Sequence, residues 1–104
     1  MDAEARSRTA ALIGAARLAA APVPDIAGAD CPDSIPDGYA VQDALHEYFR
    51  TQTNSSLAGW KIGATTTSMQ AYLGVDGPAY GRVMASNVYE NGASIAAAGF
   101  CNPG

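Results

Sequence analysis

The sequence predicts an α+β fold, with two N-terminal helices followed by a small, mostly antiparallel sheet that has a short helix inserted in it. Three observations predict this class. Apolar residues recur at helical spacing in the first half of the chain, and they alternate with other residues along 59–65. Gly, Pro and Asn cluster between these runs, as they do in turns. The 104 residues suffice for one domain.

The first helix is predicted over residues 3–20. Its apolar stripe is rich in alanine and consists of Leu12, Ile13, Ala16, Ala19 and Ala20. We expect Pro22 and Pro24 to end the helix, because proline lacks the backbone N–H and clashes with the preceding turn. A stripe of such small side chains buries little area, so this helix is suited to close packing against another element or subunit.

The second helix is predicted to begin near Ser34. Ser34 and Asp37 have the spacing of a capping pair, and Pro36 lies in the first turn, where its missing N–H costs nothing. The apolar face of this helix consists of Val41, Leu45, Tyr48 and Phe49. This spacing continues for several turns and predicts an amphipathic helix.

The polar face of the second helix carries Asp43, His46 and Glu47. At spacings of three and four residues, these side chains share one side of the helix and could offer ligands to a metal ion. An amphipathic helix also needs a polar face toward solvent, and a single histidine is thin evidence for catalysis. The solvent-facing interpretation is therefore favoured.

The first strand is predicted over 59–65. One face would carry Trp60, Ile62 and Ala64, and the other Lys61, Gly63 and Thr65. A short helix should follow, capped by Thr67 and Gln70 and running to Leu73. Gly74 would stop it, with Val75 as the hydrophobic contact of the stop.

Two further strands are predicted near the end of the chain. The second strand would cover 80–89, and Asn91 with Gly92 would form a hairpin turn, since both tolerate a positive φ. A short third strand would then return over 94–98. Together with the strand at 59–65, these runs predict the small antiparallel sheet.

The composition predicts a thin hydrophobic core. There are 22 alanines, whereas Leu, Ile, Val and Phe together make up 17 of the 104 residues. That is below the roughly 20% at which a chain begins to look unable to build a core. The net charge of −4 is too small to favour disorder. We therefore expect the chain to rely on a partner subunit or on further chain for burial.

Charge and cysteine content exclude several classes of function. A pI near 4.6 with no basic run argues against nucleic-acid binding. No apolar stretch reaches the roughly 18–20 residues of a membrane span, so no membrane association is expected. Asp2 and Glu4 precede any apolar run, unlike a signal peptide. Cys31 and Cys101 are too few for a disulfide framework, so we expect a cytoplasmic protein.

Lys61 is the single lysine of the chain, beside five arginines. A strand lysine beside Trp60 that faces the same way as two small residues could line a pocket, where it would bind a carboxylate or exchange a proton. The alternative from spacing alone is a solvated strand lysine, which is what most lysines are. Spacing alone favours the solvated lysine.

Several ordered sequence blocks resemble one enzyme group. They are GWKIGAT at 59–65, MQAYLGVDGP at 69–78 and YGRV at 80–83, together with GYAVQ upstream at 38–42. In this order they resemble the 2-keto-4-pentenoate hydratase and 4-oxalocrotonate decarboxylase group of the fumarylacetoacetate hydrolase superfamily. The resemblance covers about residues 34–104 and extends weakly to the first helix.

The resemblance implies a divalent-metal-dependent lyase for small 2-oxo acids in a bacterial pathway such as aromatic catabolism. The cofactor would be Mg²⁺ or Mn²⁺, held in the intact enzyme by a Glu-x-Glu pair and a later carboxylate. The family lysine, which assists proton transfer or holds substrate, corresponds to Lys61, and Gly63 and Tyr80 would contact substrate. The resemblance also implies a homo-oligomer.

Two departures from the family pattern shape the expectation. The sequence stops at Gly104, where the Glu-x-Glu pair is expected, so residues 1–104 would be an N-terminal region without the β-rich catalytic domain and without metal ligands. Ala79 stands where hydratases carry an acidic residue, which weakens the hydratase interpretation and favours a decarboxylase or an uncharacterised 2-oxo-acid enzyme. The alternatives are a non-catalytic assembly module and a C–C bond hydrolase of the same superfamily.

Overall fold

The computed structural model of the chain describes residues 1–102, and they form two units. The helical unit contains 1–54 together with 90–102, and the sheet unit contains 55–89. Helices come first and a small antiparallel sheet follows, so the predicted α+β class is confirmed. No helix among the described residues combines the length and the apolar character needed to cross a membrane.

Helix α1 spans Ala3–Leu18. Its N-cap is Asp2, whose carboxylate accepts a hydrogen bond from the Ala5 N–H at 2.8 Å. The helix ends two residues earlier than predicted, because Ala20 takes a left-handed conformation with φ 52°. The Ala21 N–H then bonds back to the Ala16 carbonyl at 2.9 Å. This reversal is a glycine-type helix stop made with alanine, and it precedes both prolines.

Helix α2 spans Ile35–Thr53, which confirms the predicted start. The Ser34 hydroxyl accepts from the Asp37 N–H at 3.3 Å, and Pro36 lies in the first turn. Asn54 ends the helix in the left-handed region with φ 51°, a conformation that asparagine adopts more readily than most residues.

The helical unit is held together by close approach of α1 and α2. The buried residues of α1 are Ala5, Thr9, Ala10 and Gly14. The ring of Tyr48 covers Gly14 so closely that a Cβ there would lie 2.3 Å from the ring Cδ1. The expected close packing is therefore present, but the predicted stripe was wrong. Leu12 is exposed, because the face of α1 that meets α2 is set by its smallest residues.

A short 3₁₀ turn over Gly28–Asp30 is fastened to α1. The buried Thr9 hydroxyl donates to the Asp30 carbonyl at 2.5 Å. The Arg8 guanidinium contacts the Asp30 carboxylate, with its shortest bond at 2.7 Å. These bonds order the Pro-rich connection between the helices.

The sheet unit contains one antiparallel pair of strands, β1 (Leu57–Gly63) and β2 (Ala79–Met84). Lys61 lies opposite Gly81 and Ile62 lies opposite Tyr80, and the register is irregular between Leu57 and Gly59. Strand β1 ends two residues before the predicted end, because Ala64 adopts a left-handed conformation with φ 52°.

Helix α3 spans Thr67–Leu73 between the strands. Its cap is Thr66, whose hydroxyl accepts from the Met69 N–H at 3.2 Å, so the predicted cap at Thr67 was one residue late. Gln70 does not cap the helix; its side-chain amide donates to the Ala64 carbonyl at 2.9 Å. The predicted stop is confirmed, because Gly74 is left-handed at φ 72° and the Val75 N–H bonds to the Gln70 carbonyl.

The prediction for the last part of the sheet was wrong. Strand β2 ends at Met84, and the chain turns through Ala85–Asn87, where the Ser86 N–H donates to the Ser55 hydroxyl at 3.0 Å. Among the described residues, 94–98 form no strand, and a 3₁₀ turn covers Ala97–Gly99. The turn at Gly92 does form, but the alanine-rich run after it has low β propensity.

The core is thin, as the composition predicts. Its buried apolar residues are Ala5, Ala10, Val41 and Met84. In the sheet unit, Met84 and Ser55 are buried, whereas nine large apolar side chains are exposed. These nine are Leu57, Trp60, Ile62, Met69, Tyr72, Leu73, Tyr80, Val88 and Tyr89.

Candidate functional site

Lys61 projects from the middle of β1 and is exposed. Its stem lies across the neighbouring strand at Gly81, where a Cβ would be 3.2 Å from Lys61 Cε and 3.6 Å from Cγ. Glycine therefore leaves room for the lysine stem to lie against β2. The ammonium makes no ion pair within residues 1–102.

Small residues surround Lys61 on its face of the sheet. Gly63 lies two residues along the strand on the same side, and its partner across the ladder is Ala79. Neither residue raises a bulky side chain beside the ammonium, which carries three N–H donors for a carboxylate or a carbonyl. The arrangement can bind an anion against an open backbone surface.

Tyr80 lies on the opposite face of the sheet. It pairs with Ile62, and its ring meets the Trp60 ring edge to face at a centroid distance of 5.7 Å. The Arg82 guanidinium lies 5.1 Å from the Trp60 ring centroid on the same face. The structure thus brings Lys61 and Gly63 together and places Tyr80 apart from them, and its contact with substrate stays a prediction.

Gly81 and Arg82 were not among the predicted site residues. Both lie in the YGRV block. Alternation along a strand places them on opposite faces, but it does not show which residues of the other strand they meet. The missing information was the register between the strands. Only that register shows that Gly81 receives the lysine stem and that Arg82 meets the indole.

The polar face of α2 does not gather ligands. Glu47 is bonded to Arg50 at 2.9 and 3.1 Å, and this hydrogen bond lowers the pKa of the Glu47 carboxyl. His46 is half-buried, and its Nδ1 has no hydrogen-bond partner among the described residues. Asp43 is exposed. The exposed Asp43 and Glu47 agree with the solvent-facing interpretation, whereas the buried Nδ1 of His46 does not.

The described residues do not fit a Mg²⁺ or Mn²⁺ site. These hard ions take several oxygen ligands, commonly carboxylates. Within 1–102, no group of three or more His, Cys, Asp or Glu side chains is placed to hold a metal ion. The sheet unit carries one acidic residue, Asp76. Any metal at Lys61 would need ligands other than these residues.

No protein-family model matches this chain, and no curated protein matches it. The family and the function that the sequence blocks imply therefore stay predictions.

Proposed function

We propose that this chain is the N-terminal region of a divalent-metal-dependent 2-oxo-acid lyase that acts in the cytoplasm on 2-hydroxy-dienoate or 2-oxo-enoate compounds. The observation that carries the proposal is the single lysine of the chain lying against Gly81, within a run of sequence blocks that resembles the hydratase and decarboxylase group. The small substrate would approach the Lys61 face of the sheet.

Two roles of Lys61 follow from its chemistry. Its ammonium can hold the carboxylate of a 2-oxo acid, or it can supply a proton to the carbon that bears negative charge after bond cleavage. Gly63 supports either role, because it leaves the backbone beside Lys61 accessible. The described residues offer a metal ion no ligand set.

Ala79 favours decarboxylation over hydration. It lies opposite Gly63, on the same face of the sheet as Lys61. An acidic side chain at this position would be close enough to move the proton that water addition requires, and alanine cannot do so. Decarboxylation needs no such group, since the departing CO₂ leaves its electron pair on carbon and a proton donor completes the reaction.

The test combines Lys61→Ala and Lys61→Arg in the protein encoded by the complete reading frame. With Mg²⁺ and a 2-oxo-enoate dicarboxylate, Lys61→Ala should lower kcat at least 100-fold, as expected for loss of an acid–base group, about 10²–10⁴. Lys61→Arg keeps the charge and should retain more substrate binding than turnover. Arg50→Ala on α2 is the charge-removing control. Wild-type turnover by Lys61→Ala would contradict the assignment.

A binding measurement on the present chain is independent of turnover. Because there is one lysine, reductive methylation with a ¹³C label gives one side-chain signal besides the N-terminal amine. A 2-oxo acid should shift that signal. An unchanged signal up to millimolar ligand would count against carboxylate binding at Lys61.

A non-catalytic assembly module is the second candidate, and the exposed apolar side chains of the sheet unit favour it. It predicts a homo-oligomer that has no lyase activity in the complete protein. A C–C bond hydrolase of the same superfamily would instead cleave acylpyruvates in the same assay.

A further inference from the structure

The turn at Asn91 and Gly92 places a side-chain amide next to an unobstructed backbone nitrogen. The Ala93 N–H donates to the Glu90 carbonyl at 3.0 Å and closes the turn. Gly92 has φ 87°, whereas Asn91 is not left-handed. A positive φ at the third position of a turn, and not at the second, is the pattern of a type II turn. Asn91 and Gly92 are its two central residues, and both are exposed.

Neither of the two adjacent groups is held by a hydrogen bond within residues 1–102. The Gly92 N–H donates to no acceptor there, and the Asn91 side-chain amide has no hydrogen-bond partner there. Glycine has no side chain to shield its nitrogen. A Cβ built at Gly92 would meet nothing within 4 Å, so the space around this nitrogen is open.

Two other asparagines of the chain lack this combination. The Val88 N–H follows Asn87 and donates to the Ala85 carbonyl at 3.2 Å, and valine is branched at Cβ. Asn54 is followed by Ser55, which is buried. In both places the next backbone nitrogen is less accessible than the nitrogen of the glycine that follows the third asparagine.

We propose that Asn91 is a site of spontaneous deamidation through a cyclic imide formed with the Gly92 nitrogen. The Gly92 nitrogen attacks Cγ of Asn91, so a new N–Cγ bond forms and the Cγ–Nδ2 bond breaks. The side-chain amide leaves as ammonia and takes the proton of the Gly92 N–H with it. Water then opens the five-membered ring, and the reaction requires no oxidant or reductant. This modification does not depend on the proposed lyase chemistry.

The ring opens at either of its two bonds to nitrogen, which gives two products. Cleavage of the N–Cγ bond leaves aspartate at position 91. Cleavage of the bond to the backbone carbonyl carbon leaves isoaspartate, in which the main chain runs through the former side chain. Both products add a carboxylate and make the chain one unit more negative than its net charge of −4. Isoaspartate also lengthens the main chain by one methylene, which disrupts the bond between Glu90 and Ala93.

The folded turn offers little resistance to ring closure. One exposed hydrogen bond closes it, and such a bond contributes little to stability. The rotation that brings Cγ of Asn91 to the Gly92 nitrogen therefore has a low cost. We expect the folded chain to deamidate no more than about tenfold slower than an unstructured peptide that spans 86–97.

Incubation of the full chain at neutral pH, below its melting temperature, tests the proposal. After digestion, mass spectrometry follows the peptides that contain Asn54, Asn87 and Asn91 in one sample. The Asn91 peptide should convert from amide to acid at least about tenfold faster than the other two. Its product should contain isoaspartate, which an isoaspartate-specific methyltransferase labels.

Two substitutions locate the reacting groups. Asn91→Gln should abolish the conversion in this peptide, because a glutamine side chain would have to close a larger ring. Gly92→Ala should slow it by about tenfold or more, because a methyl group then lies beside the attacking nitrogen. Gly99→Ala is the matched control, since a Cβ there also meets nothing within 4 Å, and it should leave the rate unchanged.

Three results would overturn the proposal. The first is conversion of Asn91 no faster than that of Asn54 and Asn87. The second is formation of aspartate without isoaspartate, because the cyclic route produces both. The third is a folded chain that reacts more than about tenfold slower than the 86–97 peptide, which would show that the turn protects Asn91.

Discussion

The helical unit buries small side chains, whereas the sheet unit leaves large ones at its surface. Gly14 admits the Tyr48 ring so closely that α1 and α2 pack with hardly any large aliphatic residue buried between them. In the sheet unit, Tyr72 is 84% and Ile62 70% exposed, while Met84 is 6% exposed. In this chain, the positions of the large apolar residues therefore do not predict which side chains are buried.

The two units also differ in what fixes their geometry. In the helical unit, side chains fill the space between two elements. In the sheet unit, order comes from the strand ladder, the Thr66 cap and the Gly74 stop, which are local hydrogen-bond arrangements. The single tryptophan lies in the sheet unit and most helical residues lie in the other, so fluorescence and circular dichroism can follow the units separately.

The largest expected effect is the difference in unfolding free energy between substitutions at a buried and at an exposed residue of the sheet unit. Met84→Ala should lower the free energy of unfolding by about 2 kcal/mol or more, since it empties a buried site. Ile62→Thr should change it by less than about 0.5 kcal/mol, because the side chain is exposed. Trp60 fluorescence during denaturant unfolding measures both. An equally large loss for Ile62→Thr would show that its face is covered in solution.

The next effect concerns close packing in the helical unit. Gly14→Ala should destabilise this unit by about 1–3 kcal/mol, because the new methyl group would overlap the Tyr48 ring. The higher helix propensity of alanine should offset up to about 1 kcal/mol of that loss. Gly38→Ala is the matched control in α2, since a Cβ there meets nothing within 4 Å, and it should stabilise. Thermal unfolding followed by far-UV circular dichroism decides. If both substitutions stabilise the protein, the contact between Gly14 and the Tyr48 ring does not require glycine at position 14.

A smaller effect tests the attachment of the 3₁₀ turn to α1. Thr9→Val keeps the shape but removes the donor to the Asp30 carbonyl, at a cost of about 1 kcal/mol. Thr51→Val removes a hydroxyl that bonds within α2 at the surface and should cost less than about 0.5 kcal/mol. Equal losses in denaturant unfolding would mean that the Thr9 bond adds nothing beyond helix propensity.

The smallest effect is a dependence of stability on acid. The hydrogen bond from Arg8 holds the pKa of the Asp30 carboxyl below its usual range. Its stabilising contribution is therefore complete above the unfolded-state pKa, about 3.9, and is lost as the pH falls through the lower folded-state value. The pair is exposed, so the loss should be slight.

Asp30→Asn is the control for this pH effect. It removes the titrating group but leaves the Asp30 carbonyl as acceptor for Thr9, so the acid-dependent part of the unfolding free energy should shrink. An unchanged pH profile in the variant would assign the acid loss to other carboxyls.

Local signals in the sequence predicted the elements better than they predicted the packing. The cap at Ser34 and the stop at Gly74 depend on neighbouring residues, and both are confirmed. The buried face of α1 was wrong, because it is chosen by the fit of Gly14 to a ring 34 positions away in the chain. The prediction of a third strand was also wrong. The turn at Gly92 forms, but strand β2 has already ended at Met84, so 94–98 have no adjacent strand to pair with.

The candidate site shows the same division. Alternation correctly placed Lys61 and Gly63 on one face and Trp60 on the other. The meeting of Lys61 with Gly81 required the register between strands, which depends on how the 15 intervening residues, 64–78, fold. Whether the resemblance extends to activity depends on carboxylates that residues 1–102 do not bring to Lys61.

The left-handed alanines at positions 20 and 64 have a consequence for engineering heat resistance. Alanine costs about 1–2 kcal/mol in that conformation, whereas glycine adopts it freely and gives up about 0.5–1 kcal/mol in chain entropy. Replacing alanine by glycine usually lowers the stability of a protein. At Ala20 and Ala64 the relief of backbone strain exceeds the loss in chain entropy, so glycine should stabilise the protein there. A selection for thermostable variants of this chain should therefore enrich two substitutions that consensus rules for helices and strands would discard.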